Sequence, residues 1–173
     1  SGQLKKKMFV CAYCTAARTP HGCSMDFNLS TIDVRQAYIQ SDTGDHTLYM
    51  MPPPGVSSRD SQGRQLVCRL LRSLYGLRQA GRLWSGLFSK FLISWGMVRS
   101  ALDACLYTYS MGKSILLALV YVDDVLIADN DASLRARFVR DVAARFPIED
   151  KGKLSWFLGV GIERDRRART LRL

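Results

Sequence analysis

Two adjacent carboxylates, Asp123 and Asp124, stand where one apolar run, Ile115-Leu116-Leu117-Ala118-Leu119-Val120, gives way through Tyr121-Val122 to a second, Val125-Leu126-Ile127-Ala128. Both runs have the length and composition of buried strands. Neighbouring ionised carboxylates repel, and apolar surroundings penalise each of them further, so the pair needs a cation or a shared proton. A divalent metal ion meets that need. For these residues alone the alternative is a solvated, inert Asp-Asp hairpin turn. In a continuous strand the two acids would face opposite sides, so only one could join a carboxylate from a neighbouring strand, unless the turn swings both forward. Asp33, in the strand-like run Ser30-Thr31-Ile32-Asp33-Val34, is the candidate third acid.

The chain of 173 residues is long enough for one domain with a core. Its 25 Lys plus Arg against 15 Asp plus Glu, a net charge of +10, favours an anionic partner, nucleic acid first, with salt-sensitive binding. No apolar run reaches the ~18 residues of a membrane span, and no secretory signal is visible, so the expectation is a soluble, intracellular protein without a membrane partner. Five cysteines at uneven spacing argue against a disulfide framework. Cys11, Cys14, His21 and Cys23 fit no zinc spacing class and read as core or surface residues.

The elements that must position the acids follow from periodicity and punctuation. Residues 1–7 form a polar, basic, frayed lead, and Met8 to Ala17 has helical spacing of apolar residues before Pro20 and Gly22. The Asp33 strand runs into a short turn or helix at Arg35 to Tyr38, then a loop over 41–46. Thr47 to Met51 is a strand stopped by Pro52-Pro53-Pro54-Gly55, and Leu66 to Leu70 returns to strand character after a polar loop. Leu83, Trp84, Leu87, Phe88, Phe91, Leu92 and Trp95 make the core stripe of a strong helix ended by Gly96. Arg78 and Gln79 stand at its head, where free N–H groups and the dipole suit phosphate. A second helix, Ala132 to Phe146, is capped by Asn130 or Asp131 and stopped by Pro147. Lys151 and Lys153 fall in a Gly-containing turn. Ser155 to Ile162 and Thr170 to Leu173 pair as a final hairpin around Arg164-Asp165-Arg166-Arg167-Ala168-Arg169.

Four blocks, Asp33-Val34-Arg35-Gln36-Ala37-Tyr38, Leu74-Tyr75-Gly76-Leu77-Arg78-Gln79-Ala80, Tyr121-Val122-Asp123-Asp124 and Phe157-Leu158-Gly159-Val160-Gly161-Ile162-Glu163, occur in the order seen in reverse transcriptases. Over most of its length the chain resembles the copia-type branch of LTR retrotransposons. The resemblance implies an α+β palm, an antiparallel sheet with helices packed on one face in a ferredoxin-like arrangement. Residues 1–173 would form a single domain, with 163–173 an arginine-rich terminal hairpin and with fingers and thumb largely missing.

The activity so implied is RNA-directed DNA polymerisation, with an inactive or domesticated nucleic-acid-binding or structural remnant as the alternative. By resemblance Asp33 and Asp123 hold two Mg2+ ions, with Mn2+ as a possible substitute, and Asp124 completes the metal-binding acidic cluster with a smaller share. Tyr38 lies under the sugar of the incoming nucleotide and selects deoxynucleotides. Arg78 and Gln79 contact the nucleotide and templating base; Tyr121, Leu158 and Gly159 grip the primer; Arg166 and Arg167 touch nucleic-acid backbone. Lys151 or Lys153 serves as general acid toward pyrophosphate. The implied partners are an RNA or DNA template with its primer, a deoxynucleoside triphosphate, and the rest of a polyprotein or a second subunit. The implied location is the cytoplasm, a virus-like particle or the nucleus.

Overall fold

Apolar residues repeating on both faces of a strand demand cover on both faces, and the central strands of this protein receive it. The computed structural model describes residues 27–172 apart from 44–46, 57 and 169. The basic lead, the helix expected over Met8 to Ala17 and the group Cys11, Cys14, His21 and Cys23 lie outside the described residues.

The described chain divides into two compact units, 27–35 with 90–172, and 36–89. In the first, β1 (Asn28–Val34) is a central strand of a six-stranded sheet. In the second, a 3-10 turn (Ala37–Gln40) precedes a two-stranded antiparallel ribbon of β2 (Leu48–Met50) and β3 (Cys68–Leu70). Helix α1 (Ala80–Ser94) carries the boundary between the units. Trp84, Phe88 and Leu92 on it are fully buried, as its stripe predicts, and Gly96, at φ 101°, ends it.

The large sheet adds β4 (Val98–Arg99), β5 (Leu106–Met111), β6 (Ser114–Tyr121) and β7 (Asp124–Asp129), and after helix α2 (Ala132–Arg145), β8 (Ile148–Lys153). Its order is β4-β5-β6-β7-β1-β8, antiparallel throughout. Asp131 caps α2, its side chain accepting from the N–H groups of Ser133 and Leu134. The helix lies against β6, β7 and β8. Because Arg135 Nε donates to Ser30 Oγ at 2.7 Å and Ser30 pairs with Ile127, α2 covers the face that bears Ile127, Val125 and Ile32. The last turn of α1 joins it there: Trp95 meets Phe138 edge-on, Phe91 meets Phe146, and the Trp95 indole N–H donates to Asp141. The opposite face carries Leu117, Leu119, Leu126 and Ala128, packed with Phe27, Leu154, Phe157 and Ile162.

Three expectations are corrected. Lys151 and Lys153 lie in β8, an edge strand of the sheet, and not in a turn. The segment Ile148-Glu149-Asp150-Lys151-Gly152-Lys153 carries no apolar alternation because an edge strand needs only its backbone to pair. Leu106 to Met111 is a strand of that sheet that the sequence reading did not assign. The expected single terminal hairpin is two: β9 (Trp156–Phe157) pairs with β10 (Val160–Gly161), and β11 (Glu163–Asp165) with β12 (Thr170–Arg172). Leu158 at φ 52° and Gly159 at φ 80° supply the two consecutive left-handed residues of a tight hairpin turn, which reverses the chain inside the expected Phe157 to Glu163 strand.

Candidate active site

Strand pairing decides which acids meet. In β1 Asp33 stands directly opposite Asp124 of β7, and on its other side opposite Glu149 of β8. Side chains at directly paired positions share a face, so Asp124, Asp33 and Glu149 form a row across three strands on the face away from α2. Sequence reading missed Glu149 because β8 was not recognised as a strand. Glu149 leans to Arg35, whose guanidinium approaches it at 3.5 Å.

Asp123 and Asp124 do not share a strand. Val122 and Asp123 form the two-residue connection between β6 and β7, with Tyr121 and Asp124 as its flanking pair. Val122 adopts φ 57°, a left-handed conformation that a β-branched residue rarely takes. The turn is tied down by the Val34 N–H, which donates to the Asp123 carbonyl at 2.8 Å. This tie brings the turn against the end of β1, immediately beside Asp33.

The cation is Lys151. A β-bulge between Thr31 and Ile32 makes Lys151 the extra residue of β8, with Gly152 beside it at φ 68°. Its ammonium donates to Asp33 Oδ1 at 3.1 Å and lies 3.6 Å from Asp124 Oδ1. Burial pushes the Asp124 carboxyl above its ordinary range; Lys151 pulls it back, while Asp123 and Asp33 add to the rise. Burial works to lower the Lys151 ammonium, but its hydrogen bond to Asp33 and the charges of Asp33, Asp124 and Glu149 outweigh it and hold the group above the usual lysine value. Lys153, opposite Ser30, has no such contact with the acids. Among the described residues no three His, Cys, Asp or Glu side chains converge as a metal-holding group.

A cavity of about 230 Å³ adjoins the acids, walled by Asp124, Lys151, Trp156, Phe157, Leu158 and Gly159. Leu158 and Gly159 thus flank Asp124 through the β9–β10 turn, and Trp156 is exposed there. Arg166 is elsewhere: its guanidinium donates to Asn28 Oδ1 at 2.7 Å and to the Phe27 carbonyl, fastening the β11–β12 ribbon to the start of β1. Arg167 is exposed in the turn of that ribbon, where its N–H donates to Asp165.

Tyr38, Arg78 and Gln79 belong to the second unit. Tyr38 is half-buried, its ring 4.7 Å from that of Tyr75. Gln79 immediately precedes α1, and its carbonyl accepts the Leu83 N–H at 3.0 Å; Arg78 is exposed. Both therefore stand at the helix head that the sequence assigns them.

Comparison with known proteins adds a second line. A family model described as reverse transcriptase (RNA-dependent DNA polymerase) matches residues 22–173. The chain is 36% identical over 152 residues to the retrovirus-related Pol polyprotein from transposon RE1 of Arabidopsis thaliana, covering 87% of this chain and 10% of that polyprotein. It is 33% identical over 149 residues to the Pol polyprotein from transposon TNT 1-94 of Nicotiana tabacum, covering 86% and 11%. The putative transposon Ty5-1 protein of Saccharomyces cerevisiae is 32% identical over 132 residues, covering 76% and 42%. The chain thus spans about a tenth of the length of the two plant polyproteins it matches.

Proposed function

The chain belongs to the reverse transcriptase (RNA-dependent DNA polymerase) family, in the branch carried by the Pol polyproteins of copia-type retrotransposons, and on that premise we propose that it is a polymerase palm transferring a nucleotidyl group from a deoxynucleoside triphosphate to a primer 3'-hydroxyl. The observation that carries the proposal is the direct cross-strand pairing of Asp33 with Asp124 beside the turn that holds Asp123. Three acids from two segments 90 residues apart in sequence thereby adjoin one end of one sheet.

The donor set fits Mg2+ or Mn2+. Both ions take hard carboxylate oxygens, and Mg2+ in phosphate-transfer sites uses one or two carboxylates with substrate phosphates and water instead of an all-protein cage. Two facing carboxylates with a third on the adjacent turn match that need without three converging ligands. Asp33 and Asp124 would hold the metal, with Asp123 completing the acidic field. When bound, the metal supplies Lewis acidity that lowers the pKa of the attacking hydroxyl and neutralises phosphate charge.

The protein's own groups supply the rest. The strained Val122-Asp123 turn, hydrogen-bonded to β1, fixes Asp124 against Asp33 with little freedom to lose. Lys151 holds its proton at neutral pH and lies within reach of both carboxylates, so it, and not Lys153, is assigned the donation of that proton to the departing pyrophosphate. The pocket at Leu158 and Gly159 receives the primer end, and Tyr121, the strand partner of Asp124, contacts the same primer. In the second unit Tyr38 selects the deoxyribose, and Arg78 and Gln79 meet the nucleotide and template. Arg166 and Arg167 contact nucleic-acid backbone, and the chain acts as one segment of a longer Pol-type polypeptide.

The test is DNA synthesis on an RNA template annealed to a DNA primer, with Mg2+ or Mn2+, comparing the chain with its Asp123→Asn/Asp124→Asn variant. Extension by the parent that is lost in the variant is the expected result. Salt-dependent duplex binding by both, with extension by neither, would replace the proposal with a binding module.

A further inference from the structure

Lys151 reaches the acids from a strand that is locally interrupted. In the β1–β8 register Ile32 faces Asp150 and Thr31 faces Gly152, so Lys151 is passed over as the extra residue of the bulge. Its direction is therefore set by the shape of the bulge and not by pairing. A bulge disrupts the ladder that holds a regular strand straight, so its shape needs support from side chains.

That support comes from the opposite face of the sheet. Asp150 turns its carboxylate toward α2, where Oδ1 accepts from the Arg135 guanidinium at 2.6 Å. The same oxygen accepts the Gly152 N–H at 3.0 Å, closing a short ring around Lys151. Arg135 Nε donates at 2.7 Å to Ser30 Oγ, and Ser30, buried in β1, pairs with Lys153 on the far side of the bulge. One guanidinium is thus fastened on both sides of Lys151. Its side chain is 21% exposed, so these charge-assisted bonds are partly shielded from solvent. Burial works to raise the Asp150 carboxyl, but the Arg135 hydrogen bond, the Gly152 N–H and the Arg135 charge outweigh it and hold the group below the usual carboxylate range. Arg135 itself stands in the first turn of α2, directly behind the Asp131 cap, with Leu134 and Phe138 of that helix buried.

We propose that Arg135 and Asp150 are positioning residues for Lys151: from the α2 face they hold the bulge in the shape that delivers the Lys151 ammonium to Asp33 and Asp124 on the other face. Neither residue touches the acids. Their consequence for catalysis rests on the reading of Lys151 as the proton donor to pyrophosphate, whereas the placement itself stands on the bonds through the bulge. Helix α2 thereby acts on the site from behind the sheet.

A double-mutant cycle in equilibrium urea unfolding of the full chain, in low salt with EDTA, tests the placement without need of activity. Lys151→Met should lower the folding equilibrium constant about fivefold in the parent. In an Asp150→Ala background the same change should lower it less than about twofold, because the ammonium is no longer delivered to the acids. Asp150→Asn, which keeps the oxygen acceptor and removes the charge, should retain most of the parent's response. Arg135→Met gives a second cycle from the helix side with the same expectation as Asp150→Ala. Equal responses to Lys151→Met in the parent, Asp150→Ala and Arg135→Met backgrounds overturn the proposal, and so does a response lost as fully in Asp150→Asn as in Asp150→Ala, which would assign the effect to charge alone. In single-turnover primer extension Asp150→Ala and Lys151→Met should each slow incorporation about tenfold or more, with the double variant no slower than Lys151→Met. Coupled unfolding together with extension indifferent to Lys151→Met would uphold the placement and remove the proton-donor reading.

Discussion

The Lys151 ammonium donates to Asp33 Oδ1 across 3.1 Å while standing 3.6 Å from Asp124, so one side chain from a bulged edge strand neutralises two acids that face each other across the sheet. Replacing it with an uncharged chain of similar length removes the ion pairs that Asp33 and Asp124 make among the described residues. Lys151→Met is expected to destabilise the fold by on the order of 1 kcal/mol, a modest figure because the lysine is 43% exposed and solvent screens it. Chemical denaturation should show the loss shrinking in high salt, and Mg2+ should restore stability to the variant more than to the parent. Equal Mg2+ responses in the two proteins would remove Lys151 from the site.

Asp124 ties stability to pH. Its carboxyl is pushed up in the folded state, so the folded protein binds the proton more tightly than the unfolded chain does. The stabilising contribution is full below the ordinary carboxylate value and is lost as pH rises through the elevated one. Asp124→Asn, which cannot ionise, is therefore expected to melt higher than the parent at neutral pH, with the difference closing as pH falls toward the ordinary value. Thermal melts across that window check the sign.

Val122 holds a left-handed conformation at φ 57° and is partly exposed. Val122→Gly removes the clash of a branched Cβ at little cost in packing, and a gain of about 1 kcal/mol is expected in equilibrium unfolding. If the turn's rigidity serves the acids, primer extension falls in the same variant although stability rises.

Phe138 is wholly buried on α2 and meets Trp95 edge-on at 5.1 Å. Phe138→Ala should cost about 3–5 kcal/mol, the range for a large aromatic removed from a packed core. A loss below about 1 kcal/mol would show that α2 is not packed on the sheet as described.

Tyr38 is assigned the sugar gate. Tyr38→Ala or Tyr38→Val should raise ribonucleotide incorporation relative to deoxynucleotide incorporation in an extension assay. Unchanged discrimination in an active variant would leave the ring as a partner of Tyr75 alone.

Local pattern carries a good deal of this molecule. The stripe of α1, the Pro147 stop of α2 and the apolar runs of β6 and β7 are all legible because each follows from periodicity or from a residue's own backbone preference, while the sequence narrows the cap of α2 to Asn130 or Asp131 and the structure selects Asp131. The four ordered blocks likewise suffice to identify the family. β8 was not legible: an edge strand of Glu, Asp, Lys and Gly is selected by the backbone groups of β1, which leave no mark in its side chains. The turn at Leu158 and Gly159 was missed for a related reason, since a non-glycine residue at positive φ is imposed by the pairing around it.

The sequence by itself determined which residues could do chemistry: three acids, two lysines and a basic surface, together with most of the elements that carry them. Only the tertiary structure decided which of them meet. Register across β7, β1 and β8 sets Asp33 against Asp124, admits Glu149 to the row and separates Lys151 from Lys153. Pairing between strands distant in sequence fixes those contacts through backbone hydrogen bonds common to every residue type, so the choice among side chains of equal chemistry is made by position alone.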